Sequence, residues 1–168
     1  MSEPIWLTVA RAFDGLAEVP GPGNNPVILN WVGYVGAPKW YDRDSHPWCG
    51  LFASVICKAT QLPAPGKGFD LIRALTFAKY GRALRLPTLG AFMVFGRSGG
   101  HHVGWYLGER NDAFRIFGAN QSDKVCATWI QKDRLVEDGI RWPDGHPLPL
   151  TGAIWLKDDG APLSSNEA

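Results

Sequence analysis

The amino-acid sequence predicts an α+β protein in which helices come first and an antiparallel β-sheet follows. Up to residue 80 the apolar residues recur at helical spacing, whereas after residue 90 they form short runs of strand length between turn residues. One predicted helix carries Cys49 in its first turn, and its apolar stripe needs a surface to pack on. We therefore expect this cysteine helix to pack on the sheet within a single domain of residues 1–160, followed by a flexible tail at residues 161–168.

Four helical segments are predicted in the first half of the chain. Asn25 and Pro26 have the residue types that favour an N-cap and a first helical position. Pro47 suits the entrance to the cysteine helix and discourages helix before it. The apolar spacing gives the predicted helices as residues 5–17, 26–35, 49–59 and 69–80.

Strands are predicted after the last helix. Most are short runs rich in β-branched and aromatic residues, and residues 108–112 have the composition of a hairpin connection. The sheet is therefore expected to be antiparallel and to contain at least one tight hairpin. The predicted strands are residues 91–95, 102–107, 113–117, 124–130 and 152–156.

Composition and charge restrict the class of protein. A chain of 168 residues with a formal net charge of +1 lacks the basic surface of a nucleic-acid-binding protein. The N-terminus lacks the basic region and apolar run of a signal peptide, and no apolar run approaches the roughly 20 residues that span a bilayer. We expect synthesis in the cytoplasm and no membrane insertion. If the substrate lies outside the cytoplasm, another component has to deliver the protein.

Cys49 is the candidate nucleophile. At the first turn of a helix, unpaired backbone N–H groups and the helix dipole favour a thiolate, which is the reactive form of cysteine. The chain has three cysteines, an odd number, so at least one thiol is free, as in a reducing compartment. Cys57 and Cys126 lie inside a predicted helix and a predicted strand, and we expect both to be small buried hydrophobic residues.

A nucleophilic cysteine needs a base and a group that orients the base. His102 opens a predicted strand after a glycine-rich turn, and Asn120 follows the end of the next strand. If the hairpin pairs these strands, both side chains lie at the same end of the sheet. A cysteine on a helix, a histidine on a strand and a polar residue on the neighbouring strand form a papain-like layout, in which Asn120 would hold the imidazole tautomer.

Other roles for these residues are open at this stage. His101 and His102 could bind a metal ion together with Cys49 or Cys126, although the tight local spacings typical of zinc sites are absent. His46 lies close to the cysteine in sequence but belongs to a polar loop. A cysteine on a helix is more often a core residue than a catalyst, so the nucleophile hypothesis depends on the base and the orienting residue.

Five short motifs occur in a fixed order along the chain. Together they resemble the phage and bacterial peptidoglycan hydrolases of the NlpC/P60 and CHAP groups, over roughly residues 6 to 143. Each motif is weak alone, and the set is fairly specific. The motifs are Glu18-Val19-Pro20-Gly21, Asn24-Asn25-Pro26, Asp44 with Pro47-Trp48-Cys49, His101-His102-Val103-Gly104, and Gly118-Ala119-Asn120-Gln121.

The resemblance implies a cysteine amidase or endopeptidase that acts on cell-wall peptides, with Cys49 as nucleophile, His102 as base and Asn120 as the third residue. It also implies a closing strand at residues 140–143. The sequence departs from the family pattern at two places. His101 replaces the glycine that usually precedes the catalytic histidine, so two imidazoles compete for one role. An acidic residue is missing from the segment 88–91, which changes the entry to the first strand.

The resemblance further implies peptidoglycan as the partner, a monomeric enzyme, and no metal or cofactor. A phage lysin would reach the cell wall in the periplasm with a holin or a phage tail, whereas a secretion-system effector would use the same chemistry after injection. A non-catalytic wall-binding module is the alternative outside the enzymes. The residues expected to line the substrate groove are Trp40, Tyr41, Trp48, His101 and Trp105.

Overall fold

Helices occupy the first part of the chain and strands the second, so the predicted α+β class is confirmed. The structure, a computed structural model, describes residues 3–149 and 152–165. The α-helices in this part of the chain are α1 (Ile5–Arg11), α2 (Pro26–Val35) and α3 (Cys49–Ala59). Both predicted boundaries of α2 are confirmed. The Asn25 side chain accepts a hydrogen bond from Val27 N at 2.9 Å, and Gly36 ends the helix in the left-handed conformation.

The first helix is shorter than the predicted range of 5–17. It ends at Arg11, after which Gly15 N donates to Val125 O and Val125 N donates to Leu16 O, both at 2.8 Å. Ala17 continues this contact as an isolated antiparallel bridge to Lys124. Pairing with a distant segment therefore replaces the helical hydrogen bonds that the local apolar spacing favours.

The predicted helix at residues 69–80 is also wrong. Two short 3₁₀ segments, Gly68–Leu71 and Ala74–Lys79, occupy this region, and Arg73 between them is extended. The cause is docking against α3. A Cβ atom on Gly50 would lie 2.5 Å from Ile72 O and 2.9 Å from Ala74 N, so the two backbones are in direct contact. A continuous helix would not bring this stretch of backbone so close to α3.

The sheet contains six antiparallel strands in the order β1-β6-β2-β3-β4-β5. Four of the predicted strands are present, with ends shifted by up to two residues. The sequence did not predict β1, and β6 is longer than the closing strand that the resemblance implied. The strands are β1 (Arg82–Ala83), β2 (Phe92–Arg97), β3 (Gly100–Glu109), β4 (Ala113–Gly118), β5 (Cys126–Gln131) and β6 (Leu135–Trp142).

The C-terminal segment contacts the sheet without forming a further strand. The predicted strand at 152–156 is reduced to an isolated bridge between Trp155 and Glu109. Within the predicted tail at 161–168, Leu163 forms a bridge with Trp129, and Ser164 N donates to Trp129 O at 2.8 Å. Residues 166–168 lie outside the described part of the chain.

The helix α3 lies at the centre of the core. Its residues from Cys49 to Cys57 are all buried. On the side of the sheet, Phe52 packs edge-on against Trp105 of β3, with ring centroids 5.7 Å apart. On the side of α2, the same ring packs against Trp31 at 5.3 Å. The predicted contact between the cysteine helix and the antiparallel sheet is therefore confirmed. No helix in the described ranges is long and apolar enough to cross a membrane.

Candidate active site

Cys49 is the first residue of α3 and is 3% exposed. Its Sγ lies 3.9 Å from the backbone oxygen of His101, and the backbone N–H of Val103 acts on the same sulfur. The thiol therefore lies against the backbone of β3, between the residues that flank His102. The sequence-based expectation that the helix start meets the beginning of this strand agrees with the geometry.

The entrance to α3 is held by residues from three of the sequence motifs. Trp48, directly before Cys49, donates from Nε1 to Glu18 Oε1 at 2.7 Å. Asp44 is buried, and its Oδ2 accepts hydrogen bonds from Val19 N at 2.9 Å and from Asn25 N at 2.7 Å. A carboxylate that accepts hydrogen bonds from two backbone N–H groups strongly restricts the positions of the two segments that donate them. These contacts explain the motif residues Glu18 and Asp44, whose roles the sequence did not reveal.

His102 is fully buried, and its Nε2 lies 3.0 Å from Oε1 of Gln121. The orientation of the Gln121 amide is fixed because its Nε2 donates to the backbone oxygens of Ile116 and Cys126. Oε1 is therefore an acceptor towards the imidazole, and Nε2 of His102 carries a proton. In the neutral tautomer that this contact selects, Nδ1 is the basic nitrogen.

Gln121, and not Asn120, is the residue that contacts the imidazole. Asn120 is fully buried, and neither its Oδ1 nor its Nδ2 has a hydrogen-bond partner among the described residues. Asn120 also has a positive φ of 59°, an uncommon conformation that turns the chain sharply after β4. The sequence predicted a contact between His102 and Asn120, and in the structure the next residue, Gln121, makes the contact with the imidazole.

Burial raises the pKa of the Cys49 thiol above its ordinary value. The N–H groups of Val103, Gly50 and Cys49 itself and the charge of Arg97 act in the opposite direction, but desolvation is the largest effect. The N–H groups at the helix start thus lower the pKa of the thiol, as expected from the sequence, but by less than desolvation raises it. A pKa above the ordinary value keeps the Cys49 thiol neutral at pH 7.

We expect the rate of Cys49 alkylation by iodoacetamide to keep rising with pH beyond about 8.5, the ordinary thiol pKa. A raised pKa means that the thiolate fraction still increases in this range. Peptide mass spectrometry after timed labelling would measure the rate. Cys57 provides an internal reference, because burial raises its pKa to about 12. A Cys49 rate that is constant from pH 6 upwards would indicate a preformed thiolate and contradict this expectation.

A cleft of about 350 Å³ opens over Cys49. Three of the residues predicted to line the groove, Trp40, Tyr41 and His101, line this cleft. Sequence reasoning missed Phe69 and Arg73, which line the cleft as well. A larger cavity of about 580 Å³ between α1 and residues 142–149 has no cysteine in its lining.

Trp48 and Trp105 do not line the cleft, and the sequence-based prediction for both is wrong. Their exposed fractions are 0% and 1%. Trp48 holds Glu18 through its indole N–H, and Trp105 packs between Phe52 and Phe92. Their large apolar rings are core components, and no substrate can reach them without unpacking α3 from the sheet.

The zinc alternative has no ligand set in the part of the chain that the structure describes. There, no three His, Cys, Asp or Glu side chains lie close enough together to hold a metal ion. Cys126 contacts Gln121, with Sγ 3.4 Å from its backbone oxygen. His46 lines the cleft, and its Nε2 lies 3.5 Å from Asp42 Oδ1.

Comparison of the chain with protein-family models, with curated proteins and with solved structures gave no match.

Proposed function

We propose that this protein is a papain-like cysteine hydrolase that cleaves an amide bond in the peptide part of peptidoglycan. Cys49 is the nucleophile, His102 the base and Gln121 the residue that orients the base. One observation carries this assignment. The thiol at the start of α3 lies against the β3 backbone that flanks His102, and the imidazole of His102 is held by Gln121 at 3.0 Å. A nucleophile, a base and an orienting group are the parts that thiol-dependent acyl transfer requires.

The proposed reaction begins with proton transfer from Cys49 to Nδ1 of His102. The thiolate attacks the amide carbonyl, and the N–H groups at the start of α3 stabilise the negative charge that develops on the oxygen. The tetrahedral intermediate collapses with cleavage of the C–N bond, and the imidazolium donates its proton to the leaving amine. His102 then takes a proton from water, which hydrolyses the thioester. The products are a carboxylic acid and an amine, and the thiol is regenerated.

The substrate class is supported by the motif set and by the cleft. The segments that resemble peptidoglycan hydrolases are separate in sequence, and three of them converge on the entrance to α3 through Glu18, Asn25 and Asp44. Exposed aromatic rings line the cleft beside the nucleophile. Trp40 is 56% and Phe69 53% exposed, with centroids 6.2 Å apart. Such rings suit the apolar faces of sugars and peptides.

Mass spectrometry of fragments released from purified peptidoglycan tests the proposal and identifies the bond. We expect soluble fragments with one new amine and one new carboxyl group per cut. Release should survive a metal chelator and be abolished by iodoacetamide. Binding to the cell wall without any release of fragments would overturn the enzymatic proposal and favour a wall-binding module.

The biological setting follows the same proposal. The enzyme acts on the cell wall in the periplasm as a monomer and needs no cofactor. A phage lysin would depend on a holin or a phage tail for access, and a secretion-system effector would be injected. Both settings use the same chemistry, so the fragment assay tests the reaction independently of delivery.

Replacement of Gln121 by leucine is expected to lower kcat by about 10- to 100-fold with little change in KM. The leucine cannot accept from His102 Nε2, so the tautomer with a basic Nδ1 loses its support. Steady-state kinetics on a soluble fragment would measure both constants. Gln121→Glu keeps the acceptor for His102 but loses the Nε2 donor to Ile116 O and Cys126 O, so it should recover only a small part of kcat. An unchanged kcat in Gln121→Leu would show that Gln121 does not orient the base.

A further inference from the structure

The cleft has one wall that is rigidly fixed to the nucleophile helix. Gly50, the residue after the nucleophile, has no side chain, and the backbone of Ile72 and Ala74 fills the space that a Cβ atom would occupy. One turn later, Ser54 Oγ donates to Leu71 O at 2.6 Å. Arg73 lies between these anchored positions, so its backbone has a defined place beside the start of α3.

The side chain of Arg73 is exposed and lines the cleft. No acidic side chain among the described residues lies within 4.0 Å of its guanidinium. Its guanidinium lies over the ring of Phe69, with Cζ 6.0 Å from the ring centroid. A guanidinium over an aromatic face keeps its charge and several N–H donors available. The Phe69 ring therefore orients the Arg73 side chain, and no acidic side chain among the described residues neutralises its charge.

The rest of the cleft is electropositive or neutral. None of the described residues that line it carries a carboxylate, whereas His46, Arg73 and His101 carry basic side chains. Asp42 lies outside the lining and contacts His46. Arg97, just beyond the cleft, adds positive charge that acts on the nucleophile. A group with negative charge is the ligand that such a surface favours.

The geometry points to Arg73 as a specificity-determining residue that binds a free carboxylate of the substrate, close to the amide that Cys49 attacks. This inference rests on the proposed function and defines its substrate class. The preferred substrate is a peptide with an unmodified carboxylate beside the cleaved bond, in contrast to the same peptide with a carboxamide there. An arginine can bind a carboxylate with two parallel N–H···O bonds, and a neutral amide cannot replace the charge.

Two soluble cell-wall peptide fragments that differ only in this carboxylate or carboxamide test the inference. We expect the wild-type protein to cleave the carboxylate form with a kcat/KM about 10- to 100-fold higher. Arg73→Gln should remove the preference by lowering kcat/KM for the carboxylate form alone, mainly through KM. Arg73→Lys should retain part of it. Arg85→Gln, which removes an equal charge at an exposed residue outside the cleft, should behave as wild type.

Binding of both fragments to the Cys49→Ala protein, measured by calorimetry, separates the possible failures. Equal affinities for the two fragments, or an equal loss of kcat/KM for both in Arg73→Gln, would overturn the carboxylate site and leave the proposed function intact. If the wild-type protein cleaves neither fragment and the Cys49→Ala protein binds neither, the proposed function and the carboxylate site both fail.

Discussion

Replacement of Cys49 by alanine is expected to lower the rate of fragment release from peptidoglycan by at least about 10⁴-fold, because no acyl-enzyme can form without the sulfur. The fold should persist. Alanine is compatible with the first turn of α3, and only one buried sulfur atom is lost. Fragment release measured beside thermal unfolding would distinguish loss of chemistry from loss of structure.

Cys57→Ala is the matched control. This cysteine lies in the same helix, is fully buried, and its Sγ lies 3.5 Å from the hydroxyl oxygen of Tyr80. Its loss should lower the free energy of unfolding by about 1 kcal/mol and leave the rate per folded molecule unchanged. Release by Cys49→Ala at the wild-type rate, or loss of activity in Cys57→Ala without unfolding, would contradict the assignment of the nucleophile.

Substitution of His102 is expected to have the second largest effect. His102→Gln should lower kcat by about 10³-fold or more, because glutamine can still donate to Gln121 but cannot accept the thiol proton. His101→Ala should act mainly on KM. The imidazoles of His101 and His102 occupy different environments. One lines the cleft, and the other is buried. Kinetics on the same soluble fragment would compare the two variants.

A reversed pattern would assign the base differently. If His101→Ala abolishes cleavage and His102→Gln retains it, His101 is the base, and the contact between His102 and Gln121 is structural. Thermal unfolding is the necessary control here, because His102 is fully buried and its replacement disturbs packing more than a change at the partly exposed His101.

Features with a local physical cause were predictable from the sequence. Asn25 and Gly36 bound α2 because capping depends on a few neighbouring residues. Cys49 begins α3 shortly after Pro47 for a similar reason. The strands around the hairpin of residues 110–112 also follow from local composition. The proximity of His102 to the residues after β4 followed from topology, since antiparallel neighbours joined by a hairpin share an end of the sheet.

Features that depend on distant contacts were not predictable. The helical spacing of residues 69–80 is overridden because their backbone docks on Gly50, and α1 ends early because the following residues pair with the segment before β5. The choice between Asn120 and Gln121 depends on the left-handed turn after β4, which the sequence does not specify. The burial of Trp48 likewise follows from its bond to Glu18, 30 residues away in the chain.

The border strands of the sheet have a consequence for self-association. An open sheet offers two borders at which another chain can add a strand. At one border lies β1, which has only two residues. At the other border lies β5, and the C-terminal segment covers it at Trp129 through Leu163 and Ser164. Loss of this segment would leave a tryptophan-bearing strand with open backbone groups. The last described residues therefore bind backbone groups of β5 that would otherwise be open to a strand of another chain.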